Sequence, residues 1–85
     1  MPFSLDLLPP GDEATVVSVH NAPAMHRRLN ALGFVPGTGV KFLYRSAAGD
    51  PTAFWVRSTV IALRQEDSRH ILVLPAEGKS DEAQE

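Results

Sequence analysis

Val40 to Arg45 alternates: Val40, Phe42 and Tyr44 lie on one face, Lys41, Leu43 and Arg45 on the other. A period of two marks a strand with one buried side. Ala53 to Arg57 repeats the pattern, with Phe54 and Val56 on one side and Trp55 on the other. Glu13 to His20 is rich in Val and Thr and reads as a third strand. Its Ala14/Val16 alternation does not continue to Ser18, so a bulge or twist is expected near Val17. Val60 to Arg64 and Ile71 to Leu74 are two further short strands, and Pro75 is expected to stop the last one. Polar Gln65 to Arg69 suits one helical or 3-10 turn.

One stretch changes period. Met25, Leu29 and Leu32 follow at i, i+4 and i+7, one face of a helix. Pro23 suits the first turn because its missing N–H would be unpaired there anyway. Asn21 can cap just before it, and Gly33 sits where a left-handed residue would end it. Pro-Gly at 36–37 fits a type II turn. Pro9-Pro10-Gly11-Asp12 and Ala48-Gly49-Asp50-Pro51 are further turns. The expected chain is about five short strands with one helix between the first two, a small barrel or sandwich. Closing such a sheet on itself would remove its open edges. The expected core is Leu8, Val16, Val19, Leu29, Leu32, Val40, Phe42, Phe54, Val56, Leu63, Ile71 and Val73.

Eighty-five residues allow one domain with a thin core. There is no cysteine, hence no disulfide framework and no thiolate metal site. The net charge of −2 is unevenly spread. Residues 1–74 carry seven bases and six acids, whereas 75–85 carry four acids against Lys79. The division expected is therefore a folded body, 1–74, and a disordered acidic tail, 75–85. A nearly neutral body gives little reason to expect a nucleic-acid partner. No run approaches the roughly 20 apolar residues of a membrane span, and the N-terminus lacks a secretory pattern.

The chemistry-bearing residues point away from catalysis. There is no phosphate-loop motif and no nucleophile elbow. Asp12 and Glu13 are adjacent and would point to opposite faces of a strand. His20, His26 and His70 have no metal-ligand spacing. No catalytic, cofactor or metal residue is assigned. The candidates for contact are the basic cluster His26-Arg27-Arg28 on the helix and Trp55 on the face opposite Phe54 and Val56. Two arginines can make bidentate contacts, and an exposed Trp can anchor an interface. Arg28, one turn before Leu32, is expected to rest its stem on the core edge.

Several blocks, in order, resemble one family. They are Leu5-Asp6-Leu7-Leu8-Pro9-Pro10-Gly11, then Arg27-Arg28-Leu29 with Leu32-Gly33-Phe34 and Pro36-Gly37, then Gly49-Asp50-Pro51, then Val60-Ile61-Ala62-Leu63-Arg64, and finally Ile71 with Val73. Together they resemble the ferrous iron transport protein A (FeoA) domain across residues 4–74. The resemblance implies an SH3-like small β-barrel, mainly β with one inserted helix. It implies a non-enzymatic cytosolic accessory protein of bacterial ferrous iron uptake. The implied partner is a membrane ferrous iron transporter with a GTP-binding cytosolic domain. It also implies the stand-alone form of the domain, because no winged-helix region precedes it. Gly11, Gly33, Pro36, Gly37, Gly49, Asp50 and Pro51 would be turn residues. Where the family pattern has a glycine before the fourth block, this chain has Ser58. The alternative function is a small nucleic-acid-binding or regulatory protein, motivated by the basic cluster and Trp55. A homo-oligomer through an open strand edge is compatible with either.

Overall fold

The computed structural model describes residues 1–76. Six strands form one antiparallel sheet: β1 (Phe3–Ser4), β2 (Glu13–Val19), β3 (Gly39–Arg45), β4 (Thr52–Val56), β5 (Thr59–Leu63) and β6 (Ile71–Pro75), in the order β1-β6-β2-β3-β4-β5. Helix α1 (Pro23–Leu32) joins β2 to β3, and a single turn, α2 (Gln65–Ser68), joins β5 to β6. Alternate residues of the strands meet in one core with Leu29 of α1. The fold is thus the expected mainly β domain with one inserted helix. Among the described residues the ladder is not closed by hydrogen bonds, however; β1 and β5 are its edges.

The N-terminal segment adds a strand that the pattern of apolar residues did not predict. Phe3 and Ser4 pair with Val73 and Leu72. A 3-10 turn, Leu5–Leu7, then drives Leu5 and Leu8 fully into the core. At the other end β6 runs through Pro75 instead of stopping before it, and the Ala76 N–H donates to Glu13 O at 3.2 Å. Pro75 pairs with Ala14 at the end of the ladder, where a missing donor costs little. The expected boundary at 74/75 therefore falls inside a strand. The rest of the expected acidic tail, 77–85, lies outside the described residues.

Two bulges shape the sheet. The expected one interrupts β2 between Val16 and Ser18. A second, unexpected one interrupts β3 between Phe42 and Tyr44. One extra residue flips everything beyond it to the other face. Phe42 stays inside, edge-to-face with Phe54 at 6.0 Å and 77°. Tyr44, which strict alternation would put on the face of Val40 and Phe42, pairs with Ala53 on the outer face and is 61% exposed.

Helix α1 ends in a Schellman cap. Gly33 takes φ 112°, its N–H donates to Asn30 O, and the Phe34 N–H reaches back to Leu29 O at 2.9 Å. This geometry brings the residue after the glycine against the residue four before the glycine. Phe34 and Leu29 are accordingly both fully buried in the core. The helix turns its buried face toward Leu29 and Gly33, which leaves Leu32, expected inside, 37% exposed. Asn21 does not cap the helix. Its Nδ2 donates to Asp67 O at 3.0 Å and ties the helix entry to α2, while Ala22 holds the cap position without a side-chain bond.

Gly33 is also held by space. A Cβ built there would lie 2.8 Å from Arg57 Cδ. Gly33→Ala should therefore cost about 1–2 kcal/mol for the left-handed backbone, plus displacement of Arg57. A thermal melt should show a loss of roughly 4–8 °C per kcal/mol. An unchanged melting temperature would mean that the helix end is not fixed in this way.

Candidate partner-binding surface

The turn residues build the frame on which the contact residues stand. Gly11, Gly37 and Gly49 all take positive φ, 83°, 94° and 93°. Thr38 N–H donates to Val35 O across Pro36-Gly37, and Gly37 N–H to Val16 O at 2.8 Å, fixing the helix-to-β3 loop on β2. Asp50 does more than turn the chain, because its Oδ1 accepts the backbone N–H of Gln65 at 2.9 Å. Gln65 Nε2 in turn donates to Asp6 Oδ2 at 3.3 Å. The β3–β4 turn, α2 and the N-terminal 3-10 turn are thereby linked.

On this frame α1 presents Arg27 and Arg28 to solvent, and no side-chain hydrogen bond reaches either among the described residues. Arg28 is exposed, as Arg27 is. His26, expected away from the buried face, is half-buried, because the helix is rotated toward Gly33. The rotation sets Leu32 one turn beyond Arg28 on the solvent side. The helix therefore offers two arginines and an apolar neighbour rather than three basic groups. Residues four apart on a helix are neighbours, so Arg28 and Leu32 form one patch.

Trp55 stands apart from this patch, on the outer face of the sheet. It pairs with Lys41 of β3 and Val60 of β5 and is 44% exposed. A cleft of about 700 Å³ beside it is lined by Glu13, Lys41, Leu43, Trp55, Arg57 and Ser58 among others. The residue common to both regions is Arg57. Its stem lies over Gly33 at the C-terminal end of α1, and the same side chain lines the Trp55 cleft. A cation at a helix C-terminus also meets the negative end of the helix dipole. No local pattern marks Arg57, because its place depends on two segments far apart in the chain.

Arg57 and Ser58 form the β4–β5 turn with φ of 51° and 63°. Two positive values in a two-residue loop define a type I′ hairpin, which favours Asn-Gly. Here neither residue is glycine. Ser58→Gly should relieve left-handed strain that outweighs the added chain entropy, a gain of about 0.5–1 kcal/mol. Chemical denaturation would read this as a higher midpoint at unchanged slope; a lower midpoint would sink it.

The other histidines are brought together only at one sheet end. His20 N–H donates to His70 O at 2.9 Å, and Ser18 Oγ lies 2.8 Å from His20 Nε2. Among the described residues no three metal-ligating side chains cluster. No helix among them is long and apolar enough to cross a membrane.

The family model of the FeoA domain matches residues 3–75. The chain belongs to the FeoA family. Solved structures agree with this. The FeoA protein of Chlorobium tepidum is 34% identical, with a TM-score of 0.84 over 89% of this chain and 72% of that one. FeoA of Stenotrophomonas maltophilia, solved with zinc and described as a prokaryotic SH3-domain protein, is 35% identical, with a TM-score of 0.75 over 84% and 88%. A manganese-dependent transcriptional repressor shares the fold at 21% identity, with a TM-score of 0.78 over 88% of this chain and 42% of that one. A search of curated protein sequences gives no match. The domain is therefore an SH3-like FeoA fold, and its family is linked to ferrous iron transport.

Proposed function

We propose that this FeoA domain is a cytosolic accessory protein of bacterial ferrous iron uptake. It acts without catalysis, by docking on the cytosolic GTP-binding part of the membrane ferrous iron transporter. The observation that carries the reading is the α1 surface, where Arg27, Arg28 and Leu32 are exposed on a short helix held at its end by the Gly33 cap. Arginines beside an apolar residue suit an acidic protein surface with an apolar pocket. Trp55 supplies a second anchor, and His26 sets the inner border of the helix patch.

The test is co-purification. Tagged chain, expressed from its own host at native level, should retain the transporter from solubilised membranes at low salt and release it as salt rises. Recovery of the chain without the transporter at every salt concentration would remove the docking reading.

A further inference from the structure

Among the described residues, β5 is an edge strand with none of the usual edge protection. It lies last in the sheet, with only β4 beside it. Thr59-Val60-Ile61-Ala62-Leu63 contains no proline, glycine or charge. Its ladder to β4 runs without a bulge from Val56↔Thr59 to Thr52↔Leu63. Proteins normally blunt such an edge with Lys, Pro, a bulge or a covering loop, because its free N–H and C=O groups template another strand.

The two-residue turn fixes which groups are free. In a type I′ hairpin the residues flanking the turn, Val56 and Thr59, exchange both hydrogen bonds. Bonded pairs then alternate along the ladder, so Ile61 and Leu63 also turn their backbone groups to β4. Val60 and Ala62 turn theirs outward. No backbone bond from another element reaches either residue among those described. Val60 is 50% exposed and Ala62 is exposed, on the same outer face as Trp55.

Charge selects the occupant. From Pro51 to Gln65 the chain carries Arg57 and Arg64 and no acid, and both arginines are exposed at the two ends of β5. A second copy laid antiparallel about Ile61 would bring Arg64 of one copy beside Arg57 of the other. A parallel copy would bring each arginine beside its equivalent. Either arrangement crowds like charges at the ends of the strand. An extended segment with acids at its ends meets no such penalty.

We propose that β5 receives an added antiparallel strand from another protein. Its two apolar residues, two positions apart, lie opposite Val60 and Ala62, and its acidic residues, about six positions apart, lie opposite Ser58 and Arg64. Four backbone hydrogen bonds would fix the register, and the two arginines would choose the flanks. This site is separate from the helix patch, and either can fail without the other.

The probe is the blocked peptide Asp-Thr-Val-Thr-Val-Thr-Asp, titrated into the full chain and followed by amide-resolved NMR. Saturable shifts confined to residues 57–64 are expected, with slowed hydrogen exchange at Val60 and Ala62. N-methylation of both peptide valines removes the two donated bonds and leaves the protein untouched, so binding should fall by about tenfold or more. Lysine in place of both peptide aspartates should weaken it by a similar factor. Equal binding of the N-methylated peptide, shifts centred on the Trp55 cleft or the helix, or no binding at all would each overturn the proposal. So would a dimer in sedimentation with Val60 and Ala62 already protected, since the occupant would then be a second copy.

Discussion

Phe34→Ala should destabilise the domain by about 3–5 kcal/mol, the usual cost of emptying a buried phenylalanine site. Phe34 lies outside every regular element yet is fully buried, and its own N–H closes the cap on Leu29. The cavity cannot relax easily. The Schellman bonds hold the backbone of Phe34 in place, and the helix it would need to follow is fixed by Arg57 over Gly33. A domain of this size holds only about 5–10 kcal/mol in total. The variant should therefore lose most of its stability margin, visible as a collapse of the denaturant midpoint. Phe34→Leu, close in volume and apolar, should restore most of it. A loss below about 1 kcal/mol for Phe34→Ala would mean that the loop after α1 is not part of the core.

Arg27→Glu with Arg28→Glu should do the reverse, leaving the fold and removing the contact. Both side chains are exposed and make no side-chain hydrogen bond among the described residues. Surface changes of this kind usually cost within about 0.5 kcal/mol each. The double variant should melt within a few degrees of the wild type. At a docked interface, by contrast, two attractive charges become two repulsive ones. Like charges across an interface cost several kcal/mol, so the affinity for the transporter should fall by about a hundredfold or more. Alanine at both positions, which removes attraction without adding repulsion, should give a smaller loss. Retention of the transporter by the charge-reversed variant would place the docking surface elsewhere.

The contrast between Phe34 and Leu32 shows what local patterns can and cannot reveal. Helix position alone puts Leu32 inside with Met25 and Leu29, and puts Phe34 in a loop. The cap reverses both, because Gly33 in the left-handed region carries the chain back over Leu29. The signal was present in the Leu-Gly-Phe order, but it lies in cap geometry and not in periodicity. Tyr44 went outward because a bulge adds one residue to β3, and the alternation from Val40 to Arg45 looks unbroken in the sequence. Strand β1 is two residues long, too short for a period, and owes its pairing to β6 about 70 residues away. Ile61 was missed where its same-face neighbour Leu63 was found, since a run of four aliphatic residues does not reveal which parity faces inward. The exposure of Arg27, Arg28 and Trp55 was legible from helix and strand phase. Arg57 was not, because only the folded chain sets it between the helix end and the Trp55 cleft.

On the proposed function, this FeoA domain serves ferrous iron uptake by touching a larger partner through α1. Uptake of labelled ferrous iron decides this, in the source bacterium deleted for this chain and complemented with wild type or with Arg27→Glu/Arg28→Glu. Deletion should lower uptake, wild type should restore it, and the charge-reversed chain, present at the same cellular level, should not. Uptake unchanged by the deletion, or fully restored by the charge-reversed chain, would rule out docking through α1 as the route to iron uptake.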